Sequence, residues 1–106
     1  MSRTKIQKKK SDEQVNAKSI LQEAQEIVNG NRQKDYGSCV PSFERIAKLW
    51  TAYKEDTKFT AMDVAMMLVL LKVSRSKTSP KRDTFVDIAG YSACAGQIAD
   101  HNAANK

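Results

Sequence analysis

Thr60-Ala-Met-Asp-Val-Ala-Met-Met-Leu-Val-Leu-Leu-Lys-Val-Ser-Arg75 is the stretch that decides the fold. Thr60 and Asp63 have the spacing of a capping box. The hydroxyl accepts from the backbone at Asp63, and the carboxylate reaches back to the threonine amide; Asp in place of Glu makes a shorter-armed version. Behind this cap, Val64–Leu71 is apolar at every position. A helix apolar all round is surrounded, so the segment is expected to be the central helix of a bundle or to face another subunit. Lys72 and Arg75 follow at its C-terminal end, where cations suit the helix dipole.

Three more helices are predicted around this one. Downstream, Ser79-Pro80 reads as a cap followed by proline at the first helical position, opening a helix that runs to about Asp100. Its residues 89–96 are mostly Gly, Ala, Ser and Cys, which allows another helix to approach closely. Upstream, Phe43, Ile46, Ala47, Leu49, Trp50 and Tyr53 give a broad apolar face over about 42–53, with Pro41 at the helix entrance. The first helix covers about 12–28, on the spacing of Val15, Ile20, Leu21, Ala24, Ile27 and Val28, and Gly30 fits its stop. No strand-like alternation is present. The expected fold is all-α, a small antiparallel four-helix bundle. Residues 1–11 are expected to be a disordered basic tail, 12–100 a single helical domain and 101–106 a frayed C-terminus.

Charge is unevenly placed. Of 18 basic residues five lie in the first ten positions, without an acid among them; 13 then remain against 12 acids, so the helical part is near neutral. Contact with nucleic acid is therefore expected only through the tail, whose lysines have no interleaved aromatics. Cys39 and Cys94 form no CxxC pair, and the N-terminus has no apolar signal-peptide core. Free thiols in a reducing cytoplasm are expected. The apolar run 64–71 is too short to span a membrane. A lone His101 builds neither a zinc site nor a catalytic dyad.

Residues 30–37, Gly-Asn-Arg-Gln-Lys-Asp-Tyr-Gly, interrupt the helical pattern with two glycines, an aromatic and clustered charge. One reading is a helix stop followed by a solvated turn. The other is a ligand loop: glycines release the backbone, and Arg32, Lys34, Asp35 and Tyr36 suit a phosphate and a stacked base. Arg45, Lys72 and Arg75 could join them. Lys72 and Arg75 share a helix face. The next helix begins with Asp83 and Asp87, so a salt-bridge cluster joining Asp87 to Lys72 or Arg75 is expected. Glu23 and Glu26, spaced i, i+3, read as a solvated face, and the methionines as core filler.

Three blocks carry a resemblance. They are Asn29–Gly37, then Phe43-Glu-Arg-Ile-Ala-Lys-Leu-Trp-x-Ala-Tyr53, then Asp63–Arg75 leading to Asp83-x-x-Val-Asp-Ile-Ala-Gly-Tyr91. Together, over roughly residues 20–99, they resemble an uncharacterised family of small all-α proteins of tailed bacteriophages and prophages. This implies a phage protein acting in the cytoplasm of a bacterial host. A weaker resemblance links Asp83–Tyr91 to the second acidic helix of MazG-type nucleotide pyrophosphohydrolases. Asp87 and Tyr91 fit that family's aspartate and tyrosine, while Thr84 stands in the glutamate position with Asp83 beside it. The MazG resemblance implies Mg²⁺ held by Asp63, Asp83 and Asp87.

The leading functional expectation is a phage accessory protein that binds a phosphorylated small ligand, a nucleotide above all, without turnover. It would need no cofactor and would act on host metabolism or defence. The alternatives are a diverged Mg²⁺-dependent pyrophosphohydrolase, or an adaptor or inhibitor of a host protein. A homo-oligomer is expected, since helices 3 and 4 carry more apolar surface than a small bundle hides.

Overall fold

The computed structural model describes residues 17–31 and 38–106. Its α-helices are α1 (Ala17–Glu26), α2 (Cys39–Lys54), α3 (Ala61–Thr78) and α4 (Arg82–Ala104), and a π-helical turn, Ile27–Asn31, closes α1. No strand occurs among the described residues, so the all-α reading holds. The basic tail and the start of the first predicted helix lie outside the described residues.

Local signals account for most boundaries. The capping box opens α3: the Asp63 amide donates to Thr60 Oγ1 at 3.1 Å, and the Thr60 amide donates to Asp63 Oδ2 at 2.9 Å. Helix α2 begins three residues earlier than its apolar face suggested, which puts Pro41 in the first turn, where a missing N–H costs no helical bond. It ends on Glu55, a non-glycine residue at φ 72°, whose own amide still reaches Thr51 O. The Phe59 amide then donates to Thr51 Oγ1 at 2.8 Å and folds the connection back onto α2. The Phe59 ring meets Trp50 edge-on, with centroids 5.8 Å apart.

The α3–α4 junction differs from the expectation. Ser79 does not cap α4; its amide donates to Arg75 O at 2.9 Å and closes α3. A residue before proline is steered away from helical geometry, and Ser79 is extended at φ −147°. Lys81 becomes the N-cap, and α4 starts at Arg82. At its far end α4 passes the expected stop at Asp100 and continues to Ala104, where Asn105 Nδ2 donates to His101 O at 2.8 Å.

Helix α4 is the shared surface. It packs against α3 and α2, and α1 with its π turn packs on it as well. The core joins Val28, Phe43, Ala47, Val64, Ala65, Cys94, Ala95 and Ile98, all buried. One expectation is narrowed and another is corrected. Helix α3 is not surrounded within one chain: Val64 and Ala65 are fully buried, yet Leu70 is 63% exposed. Among the described residues, α3 packs chiefly against α4 and α2, which accounts for the one-sided burial. Cys39 and Cys94 are not free thiols. They form a disulfide between the start of α2 and the middle of α4, with Cα atoms 5.5 Å apart. Their sequence separation hides this, because only the packing of α2 on α4 brings them together.

Two measurements check this core. Phe43→Ala removes a side chain that is 1% exposed and is expected to cost about 3–5 kcal/mol in urea unfolding. Leu21→Ala, at a site 60% exposed, is expected to stay within about 0.5 kcal/mol. Equal costs at the two sites would contradict the packing. Closing 55 residues of chain is worth about 4 kcal/mol in the chain-entropy view, so reductant should lower the unfolding midpoint. An unchanged midpoint with and without reductant would rule out the bond.

Candidate functional site

Only Ser79, Pro80 and Lys81 separate α3 from α4, so the last turns of one helix face the first turns of the next. Lys72 Nζ lies 3.0 Å from Asp87 Oδ2, the ion pair expected between these helices. Both side chains are partly exposed, Lys72 at 22% and Asp87 at 38%. Water therefore still reaches the pair, which stands at a rim and not in the core.

Asp87 also lines a small cavity between α1 and α4, together with Ile27, Val28, Gly90, Tyr91 and Cys94. Its volume of about 30 Å³ leaves room for roughly two waters. The Tyr91 ring leans on Phe43 of the core at a centroid distance of 6.4 Å. Apart from Asp87 and the Tyr91 hydroxyl, the lining carries no polar side chain.

A second charged contact was missed by sequence reasoning. Arg82, the first residue of α4, donates through Nη1 to Glu23 and through Nη2 to Ser19 Oγ, the latter at 2.7 Å. This contact pins α1 across the start of α4. No local spacing could reveal it, since Glu23 and Arg82 lie 59 residues apart. The only hint was the Glu23/Glu26 pair, read as solvated; Glu23 is instead engaged.

The remaining predicted site residues are dispersed or undescribed. Arg32, Lys34, Asp35 and Tyr36 lie outside the described residues. Described residues to either side of them are held against α4, however. Ile27 and Val28 form part of its wall, and Cys39 is bonded to Cys94, another wall residue. Arg75 is exposed on α3 and has no ion pair among the described residues; Arg45 is exposed on α2. Asp83 is exposed in the first turn of α4.

Asp63, Asp83 and Asp87 are not brought together. Asp63 is engaged in the cap of α3, nine residues before Lys72, which is about 13 Å along the helix. Asp87 faces the opposite end of α3, against Lys72. No cluster of three or more His, Cys, Asp or Glu side chains suited to a metal occurs among the described residues. Nor is any described helix long and apolar enough to cross a membrane.

Fold and site together define a small all-α protein in which two partly exposed ion pairs, Lys72–Asp87 and Arg82–Glu23, tie α4 to α3 and to α1. Residues 19–99 match the family described as a domain of unknown function, DUF6378, and the chain belongs to that family. It is 53% identical over 74 residues to the Gene 55 protein of Mycobacterium phage L5, a match covering 69% of this chain and 47% of that one. It is 41% identical over 83 residues to the Gene 55 protein of Mycobacterium phage D29, covering 77% and 54%. The similarity to bacteriophage proteins thus holds, and the chain spans about half the length of these relatives. No solved structure matches.

The Lys72–Asp87 pair is open to a double-mutant cycle. Asp87→Asn and Lys72→Met should each destabilise modestly, and their coupling should be about 0.5–1 kcal/mol, as for a partly exposed pair. Additive effects would mean that the two charges do not interact in solution.

Proposed function

We propose that the protein is a phage accessory protein that binds a phosphorylated small ligand, most simply a nucleotide, without turning it over. One observation carries the reading. Ile27 and Val28 line the cavity that Asp87 also lines, and Cys39 is bonded to Cys94 of its wall, so described residues on both sides of the segment bearing Arg32, Lys34 and Tyr36 are held against the helix whose Asp87 pairs with Lys72. Arg75, three residues beyond Lys72 and without an ion pair among the described residues, adds a cation on the same helix.

Guanidinium and ammonium groups meeting at a partly dry rim suit phosphate oxygens. A cavity for two waters does not admit a nucleobase. The ligand would instead lie across the mouth, with its phosphate among the cations and its base free to stack on Tyr36. Asp87 holds Lys72 extended toward the rim. Binding is favoured over hydrolysis because the candidate metal carboxylates do not converge: Asp63 caps α3, Asp87 pairs with Lys72 and Asp83 is exposed in the first turn of α4. A role in host metabolism or defence fits a nucleotide-sequestering protein of a phage.

The test is a thermal-shift and calorimetric screen against nucleoside mono-, di- and triphosphates and cyclic nucleotides, with Mg²⁺ or with EDTA. A ligand at 100 times its Kd should stabilise by about 2.7 kcal/mol. Arg32→Ala and Arg75→Ala should each weaken binding by about 1.5–3 kcal/mol, and EDTA should change little. Steady Mg²⁺-dependent pyrophosphate release, lost in Asp87→Asn, would favour a MazG-like hydrolase instead. No shift with any nucleotide, together with recovery of a defined host protein in its place, would favour the adaptor reading.

A further inference from the structure

Of nine large hydrophobic side chains left exposed among the described residues, seven lie on α2 and α3. Five of them belong to α3, including Met66, Met67, Leu70 and Val73. The two on α2 include Tyr53, which is 90% exposed. A cleft lined by Trp50, Tyr53, Phe59 and Met67 joins the two helices, so the apolar surface is continuous across them. The seven expose the equivalent of about four whole large side chains, on the order of 700–800 Å². That exceeds the few hundred Å² a monomer ordinarily leaves bare. It matches the ~800 Å² that each partner contributes to a standard protein interface.

The pattern on α3 says which partner fits. Asp63, Leu70 and Lys77 recur every seven residues and so form one stripe along the exposed side of the helix. Leu70 is at the middle, with the acid seven residues before it and the base seven residues after. Met66 and Met67 flank the stripe on one side of Leu70, and Val73 and Ser74 on the other. All three stripe residues are exposed, and Lys77 has no ion pair among the described residues. Asp63 gives one oxygen to its cap and keeps the other.

A two-fold axis through Leu70 makes this stripe self-complementary. Two antiparallel copies of α3 then set Asp63 against Lys77 at both ends, Met66 against Val73 on one flank and Met67 against Ser74 on the other, with Leu70 on Leu70 at the centre. The ends lie about 21 Å apart, which is a full contact length for a helix pair. A heterologous partner would require no such symmetry of charge about a central leucine; an isologous dimer does.

We propose that this face binds a second copy of the chain, forming a two-fold dimer in which the α3 helices pair antiparallel about Leu70. The proposal is independent of any ligand. Sedimentation velocity on the full chain across a concentration series is expected to show a dimer. Leu70→Glu places two carboxylates on the axis without touching the monomer core. It should yield a monomer with unchanged helical circular dichroism. Lys77→Glu reverses both end pairs and should raise the dimer Kd about tenfold, with the deficit shrinking in high salt. Leu70→Cys should cross-link to itself under mild oxidant, whereas Lys48→Cys on the far side of α2 should not. A wild-type monomer throughout the series would overturn the proposal, and so would a dimer that Leu70→Glu leaves intact. Association only with a different protein through this face would also overturn it.

Discussion

Helix α4 touches each of the other three helices, and it can do so because its inward residues leave room. Val86, Gly90, Cys94 and Ile98 recur every fourth residue along one ridge, and all are buried. Rows of this spacing are what neighbouring helices fit between when they cross. The small pair in the middle, Gly90 and Cys94, lets two different elements come close on successive turns. Val28 of the π turn packs over Gly90, and Cys39 at the head of α2 bonds to Cys94. Large side chains at these positions would force α1 and α2 away from α4 and open the core between them.

The placement of charge follows from that arrangement. The π turn packs on α4 at Gly90, and the head of α2 is bonded to α4 one turn later, at Cys94. Because the α3–α4 junction is short, Lys72 and Asp87 are also delivered to this part of the molecule. Arg82 adds the restraint on the opposite flank, fixing α1 through Glu23 and Ser19.

What could be read from residue order was local. The capping box at Thr60 and Asp63, the four helical segments and the Lys72–Asp87 contact all depend on neighbours in sequence or on a short connection, and each is present. Ser79-Pro80 misled because a helix stop and a helix start use the same residue types, and only the backbone bond to Arg75 O decides between them. Val64–Leu71 has no apolar periodicity, so it could not say which side of α3 faces inward. The disulfide and the Arg82–Glu23 contact join residues 55 and 59 positions apart and become visible only once α4 is in place.

Helix α1 differs from the rest in how it is held. It docks on α4, contributes Ala24 and the adjoining Val28 to the buried set, and is fastened by the Arg82 contacts. Helices α2 and α3 share larger buried side chains, among them Phe43 and Val64, and α2 is covalently tied. Cooperative opening on the native side of the folding barrier therefore has a natural order: α1 detaches at a lower free energy than the α2–α3–α4 unit. Amide hydrogens of α1 should accordingly exchange ahead of those at the centre of α4. Since α1 and its π turn form one wall of the cavity beside Asp87, the least protected part of the fold is also the part that uncovers this space.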